Sequence, residues 1–120
     1  MKKYFSDKKF NSKKLSRVRL DNFEFCKCKF LNCIFNDVYA ARVRFEDCLF
    51  EGCLFNTIKH SDIGLINCTF LGCKIQGGHF QYIREPYSFN IIRSHLNYVD
   101  FYGVKLKKAD LEPIPKGINV

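Results

Sequence analysis

The sequence predicts a solenoid, a chain wound into short repeats that stack into one column. Three observations carry that expectation. A large apolar residue recurs at nearly every fifth position, as Phe25, Phe30, Phe35, Phe45, Phe50 and Phe55 and again as Leu65, Phe70, Ile75 and Phe80. Two positions before each large residue stands a smaller one, such as Cys28, Cys33, Val38 and Val43. A period of five matches neither the 3.6 of a helix nor the 2 of a strand. Fixed, short self-similarity belongs to folds in which no repeat buries its apolar face alone.

The third observation is how the aromatics divide. All 13 Phe fall on the large slot or on the slot two before it, and none of the six Tyr does. The two residues differ by a hydroxyl that is costly to bury without a partner. Those two slots therefore face a dry interior, and the other three face water.

The register extends in both directions. Phe5, Phe10, Leu15 and Leu20 precede the central stretch, and Ile91, Leu96, Phe101, Leu106 and Leu111 follow it, displaced by one residue. Asn-Cys-Ile-Phe at 32–35, Gly-Cys-Leu-Phe at 52–55, Asn-Cys-Thr-Phe at 67–70 and Lys-Ala-Asp-Leu at 108–111 share one pattern. That pattern resembles the pentapeptide-repeat motif, in which a small residue, a polar one, Leu or Phe and then two polar ones follow in turn. Over about Leu15 to Leu111 the chain resembles the pentapeptide-repeat family. The resemblance implies an all-β fold, a right-handed parallel quadrilateral β-helix with four repeats in each 20-residue coil and about five coils. The expected division is a basic N-terminal segment or frayed first coil at 1–14, the β-helix at 15–111 and a capping tail at 112–120.

At the N-terminus, residues 1–20 hold eight Lys or Arg against Asp7 alone, a net of +7 out of +8 for the whole chain. Lys3, Lys8 and Lys13 occupy the small inward slot, so the first coil is expected to fray or its lysines to snorkel. Lys8, Lys9, Lys13, Lys14, Arg17 and Arg19 are the candidate basic segment. It suits nucleic acid or an acidic protein face, or acts as a solvated cap that prevents end-to-end stacking.

Six of the seven Cys take the small slot, and with the 20-residue coil they form two ladders, Cys28–Cys48–Cys68 and Cys33–Cys53–Cys73. As small buried apolar residues they need no further chemistry. In-register Cβ atoms point in parallel, which disfavours disulfides. The C-x4-C spacing on a flat wall disfavours zinc. Reduced thiols and no metal are expected, in keeping with a cytoplasmic setting. Cys26 alone is expected to face outward.

Stacked at the 20-residue interval, Glu24 lies under Arg44, Lys27 under Asp47 and Arg42 under Asp62, and Asn36, Asn56 and Gln76 form an amide ladder. One inward column is irregular: Leu20, Ala40, His60, Phe80, Phe101. Ala40 leaves space that His60 is expected to share as a neutral core residue. Between Gln81 and Asn90 one extra residue must be absorbed around Pro86. This is the candidate protrusion, carrying Tyr82, Arg84, Pro86 and Tyr87. Two prolines end the coil after Glu112, and Ile114, Ile118 and Val120 are expected to fold over the open end.

His60-Ser61-Asp62 holds the letters of a hydrolase triad, but neighbouring extended residues alternate sides and cannot converge. No Gly-rich phosphate loop is present, and no run of 18 apolar residues suggests a membrane span. No enzyme, cofactor or membrane association is expected. The chain reads as a rigid protein–protein interaction scaffold. The resemblance implies an alternative, because the family's quinolone-resistance members mimic DNA and bind type II topoisomerase (gyrase). Nucleic-acid binding through the basic segment is a second alternative. For a protein partner, the candidate surface is a set of apolar residues at outward slots: Leu31, Ile34, Leu49, Leu54, Leu71 and Ile92. A flat, self-complementary patch of this kind fits a homodimer first and a different protein second.

Overall fold

Each repeat turns its corner at the same place. Two residues after the large slot the backbone enters the left-handed region, from Asp7 (φ 57°) through every fifth residue to Gly77 (φ 68°). Between corners runs a strand of about three residues with the large residue at its centre. Its side chain points inward and its two neighbours point outward.

In the computed structural model, which describes residues 3–77, 83–101, 104–105 and 111–113 and not the side chains of His60 and Ser61, these strands form four parallel ladders. The first stacks Lys3–Ser6, Phe23–Cys26, Arg44–Glu46 and Gly64–Ile66. The second stacks Lys9–Asn11, Lys29–Leu31, Leu49–Glu51, Cys68–Leu71, Phe89–Ile92 and Leu111–Glu112. The third runs Lys14–Ser16, Ile34–Asn36, Leu54–Asn56, Lys74–Gln76 and His95–Asn97. The fourth pairs Tyr39–Ala41 with Lys59–Ser61, and Arg19 bridges to Tyr39 below them. The result is an all-β, four-sided parallel solenoid of about five turns.

Backbone hydrogen bonds join the coils without help from outward side chains. The corner N–H donates to the coil above, as Asn32 N to the Glu51 carbonyl at 2.8 Å. The strand's first N–H donates to the small slot below, as Leu49 N to the Cys28 carbonyl at 3.0 Å. The outward sequence is consequently free to vary, and only the two inward slots are constrained.

Inside, the phenyl rings form continuous stacks. Phe10, Phe30, Phe50 and Phe70 follow one another at centroid separations of 5.0, 4.8 and 4.8 Å. Neighbouring stacks meet edge to face, as Phe25 and Phe30 do at 5.3 Å and 71°. Both geometries are favoured by the ring quadrupole. Every described Phe is buried or packed against this core. Phe80 lies outside the described residues, as do Leu106 and the tail residues Ile114, Ile118 and Val120.

The cysteine ladders line the same column with exposures of 0–3%. Each thiol donates to the carbonyl of a large residue in the coil below, as Cys48 to Phe25 at 3.4 Å and Cys73 to Phe50 at 3.2 Å. All seven cysteines are free. Burial pushes the Cys48 thiol up to about 12 and the Cys68 thiol up to about 11. In the following coil Ser94 takes the slot and donates likewise, to Ile92 at 3.0 Å and Phe70 at 3.4 Å.

Two expectations are revised. Of the alternatives for the first coil, fraying is not seen: Lys3–Ser6, Lys9–Asn11 and Lys14–Ser16 are strands paired in register with the coil above. Lys3, Lys8 and Lys13 keep their inward backbone slots, yet their side chains are exposed because nothing described lies beneath them. Outward charges also settle differently from the stacked pairs expected. Arg44 keeps Glu24 as its register partner but bonds Glu46, two residues along its own strand, at 2.8 Å. Asp47 accepts from Asn67 at 2.7 Å, Arg42 donates to Asn22 at 2.9 Å, and Asp62 pairs with Arg84 at 3.6 Å. Residues two apart on a strand share a face, so local partners compete with those stacked above. The amide ladder joins Asn56 to Asn36 at 2.9 Å and continues downward to Ser16 at 3.5 Å.

The inserted residue is absorbed between Ile83 and Ser88. Ile83 still pairs with Ile63 at an interval of 20, whereas Phe89 pairs with Cys68 at 21.

Candidate functional site

The register settles which of the outward apolar residues meet. Leu31, Leu71 and Ile92 end strands of the second face and share one column with Glu51 and Glu112. Ile34 and Leu54 begin strands of the third face, in a column with Lys14, Lys74 and His95. These five residues flank a single corner of the solenoid. Leu49 stands apart. It begins its strand and stacks above Lys9 and Lys29 and below Thr69, on the opposite border of the second face.

All six residues are half-buried. Aliphatic neighbours in one column cover part of each other, as Leu54 covers Ile34 and Ile92 covers Leu71. The corner between the two columns carries Asn32, Gly52, Gly72 and Arg93, all at positive φ. A Cβ at Gly72 would meet nothing within 4 Å, so the corner is notched open beside Leu71. These two glycines were missed in the sequence reading. Their signal was the slot they occupy, since among the described corners at 7 to 77 only 52, 72 and 77 lack a side chain. Lys14, Glu51, Lys74, His95 and Glu112 are exposed around the apolar residues. Glu51 stands between Leu31 and Leu71 in their column, and Lys74 and His95 continue the other column above Leu54.

The basic residues form a ring around the first coil and not a stripe. Lys9 is on the second face in register with Lys29, Lys14 is on the third, and Arg17 is at a corner. Lys8 and Lys13 are exposed at the base. Arg19 stands 4.7 Å from the centre of the Tyr39 ring, with Lys59 on that ring at 5.0 Å. These two cations have their own carboxylates, Asp21 at 3.1 Å and Asp37 at 3.3 Å. The Ala41 N–H and then the Arg19 guanidinium hold the Asp21 carboxyl below its usual range.

Of the candidate protrusion, Tyr82 lies outside the described residues. Pro86 is exposed. Arg84 folds back toward Asp62, its guanidinium occupying the place a side chain at Gly64 would need. Tyr87 is half-buried, its hydroxyl accepting the Lys105 N–H at 2.7 Å and its ring 6.1 Å from Phe89. Arg84 and Tyr87 are thus tied to the body of the solenoid.

Among the described residues, no group of three or more His, Cys, Asp or Glu is placed to hold a metal ion. No helix among them is long and apolar enough to cross a membrane.

Solved structures share this architecture. A trypsin-treated variant of QnrB1, a plasmid-mediated fluoroquinolone resistance protein, superposes with a TM-score of 0.55 at 18% identity, over 87% of this chain and 60% of the other. The fold is a pentapeptide-repeat β-solenoid. A second trypsin-treated QnrB1 variant gives 0.54 at 19% identity over 84% and 56%, and full-length QnrB1 gives 0.51 at 17% over 82% and 60%. The chain spans about three fifths of the QnrB1 structures it matches. No protein-family model matches the chain, and no curated protein does.

Proposed function

We propose that this pentapeptide-repeat solenoid is a non-catalytic docking scaffold, and that a protein partner seats on the corner built by Leu31, Ile34, Leu54, Leu71 and Ile92. The observation that carries this reading is the register, which gathers five outward aliphatic residues from two faces beside a glycine-notched corner. Isolated exposed leucines carry no meaning, whereas several gathered at one corner among charged residues do. A rigid column suits the role, because few of its groups lose freedom on binding. A second copy of the chain is the first partner to test, since a flat patch on a rod is readily self-complementary.

The test is Leu31→Glu combined with Leu54→Glu, followed by light scattering and partner capture. Both residues lie outside the core, so folding survives and association is lost. A folded double variant with unchanged mass and an unchanged partner set overturns the reading.

The likeness to a fluoroquinolone resistance protein favours a second reading, binding to type II topoisomerase (gyrase) in place of DNA. The charge balance weighs against it. DNA mimicry requires an acidic surface, and this chain carries a net charge of +8.

A further inference from the structure

Among the described residues, nothing covers the lower end of the solenoid. Phe5, Phe10, Leu15 and Leu20, the large residues of the first coil, are only half-buried. Their rings or side chains stack upward on the second coil, with Phe5 at 5.3 Å from Phe25 and Phe10 at 5.0 Å from Phe30. Beneath and between them lies a cavity of about 310 Å³ that reaches along the axis as far as Phe45. Its wall is hydrocarbon from Phe5, Phe10, Leu15, Phe23 and Phe25, and Lys13 and Lys14 complete it. Cys33 also lines it, but its thiol is already donated to the Phe10 carbonyl at 3.3 Å.

Lys13 and Lys14 line this mouth, and Lys3 reaches the ring of Phe23, which lines it too. Lys3, Lys8 and Lys13 occupy the small inward slot that Cys, Val and Ile fill in the coils above. The Lys3 ammonium stands 5.6 Å from the centre of the Phe23 ring, turned in over the base of the column. An apolar hole with ammonium groups at its mouth calls for a ligand with a hydrocarbon body and an anionic head. The size matches the lower range of small-molecule sites.

We propose that the N-terminal mouth of the solenoid binds a free, unbranched alkyl carboxylate of medium length. The chain lies along the axis against the phenyl stacks, and the carboxylate lies among Lys3, Lys13 and Lys14. A polypeptide segment is a poorer occupant, because most of its amides would enter a cavity walled by hydrocarbon. A second copy packed end to end is poorer still, since each first coil brings a net charge of +7 over residues 1–20.

The test titrates the full chain with decanoate below its micelle concentration, read by calorimetry and by amide chemical shifts. Decyltrimethylammonium, 1-decanol and phosphatidylglycerol vesicles are the comparison arms. Saturable one-to-one binding is expected, with shifts confined to the first two coils and affinity for the cation at least about tenfold weaker. Lys3→Ala with Lys13→Ala removes two exposed ammonium groups, and is expected to weaken decanoate by about tenfold or more at an unchanged unfolding midpoint. Absence of saturation, equal affinity for the alcohol or the cation, shifts centred on the Leu31–Leu54 corner, or binding to vesicles without binding to decanoate would each overturn the proposal.

Discussion

The Cys53 thiol donates a hydrogen bond of 3.2 Å to the carbonyl oxygen of Phe30, one coil below. The same bond recurs up both cysteine ladders and explains why thiols are accepted at a dry slot. The neutral S–H is satisfied, whereas a thiolate there would be desolvated and would face a carbonyl oxygen. The Cys73 side chain and burial together push Cys53 upward, and burial raises Cys33.

Native protein should therefore expose one reactive thiol, Cys26, with six more appearing on unfolding. Stability should respond to alkali with a definite sign. Below the ordinary thiol value of 9.0, Cys48 and Cys68 are protonated in both states and contribute no slope. From there to about 12, where Cys48 ionises in the fold, the unfolded chain loses protons that the fold retains, so stability falls as pH rises. The slope is at most about 1.4 kcal/mol per pH unit for each buried thiol. Urea unfolding between pH 7 and 11 checks this, and Cys48→Ala should make the fall shallower. A flat profile, or several thiols reacting at the rate of Cys26, would count against it.

The inward half of this structure was legible because its rule is chemical and repeated. A period of five and the separation of Phe from Tyr identified both buried slots, and every described Phe obeys them. The outward half was less legible because the coils are joined by backbone bonds, leaving its side chains several partners. Arg44 could stack on Glu24 or reach Glu46, and the 20-residue interval alone does not weigh a neighbour on the same strand. The first coil was left open between fraying and snorkelling for a related reason. Lysines at inward slots argued for fraying, but at the open end of a column an inward slot is also an exit to water. The corner glycines were passed over because a period-five reading attends to the large slot and not to the left-handed position two residues after it.

The corners make the second prediction. Thr57 is β-branched and sits at φ 54°, where L-residues are disfavoured by about 1–2 kcal/mol. Its hydroxyl bonds only the neighbouring Asn56 side chain at 3.3 Å, an exposed contact that is easily replaced by water. Thr57→Gly should stabilise the fold by about 1 kcal/mol. Gly52→Ala should do the reverse, since its Cβ would stand 2.5 Å from Asn32 Oδ1 at φ +64°. Opposite shifts in the urea midpoint are expected, and a destabilised Thr57→Gly would refute the account of the corners.

The third prediction concerns the topoisomerase reading. The outward surface offers no excess of carboxylates at its base, where residues 1–20 carry +7. In a purified gyrase supercoiling assay, a molar excess of this protein should leave fluoroquinolone inhibition unchanged. Protection at stoichiometric amounts would revive DNA mimicry and place the partner surface away from the basic end.

The last prediction isolates the docking corner from the fold. Gly72 lies between Leu71 and the third face at φ +61°, and a side chain there projects into open space. Arg is tolerated at the same corner one coil further on, as Arg93 at φ 45°, and at other corners of the solenoid, as Arg17 at 55° and Arg42 at 59°. Gly72→Arg should therefore cost only about 1 kcal/mol of stability, the left-handed penalty. It nevertheless plants a hydrated guanidinium at the centre of the five aliphatic residues, where an interface would have to desolvate it. Association measured by light scattering should be lost by a factor of about ten or more. Arg at Gly77, one corner further on and away from Leu31 and Leu71, provides the control, because it makes the same backbone change outside the patch. Loss of association in Gly72→Arg alone would place the partner on this corner, and equal behaviour of the two variants would remove it.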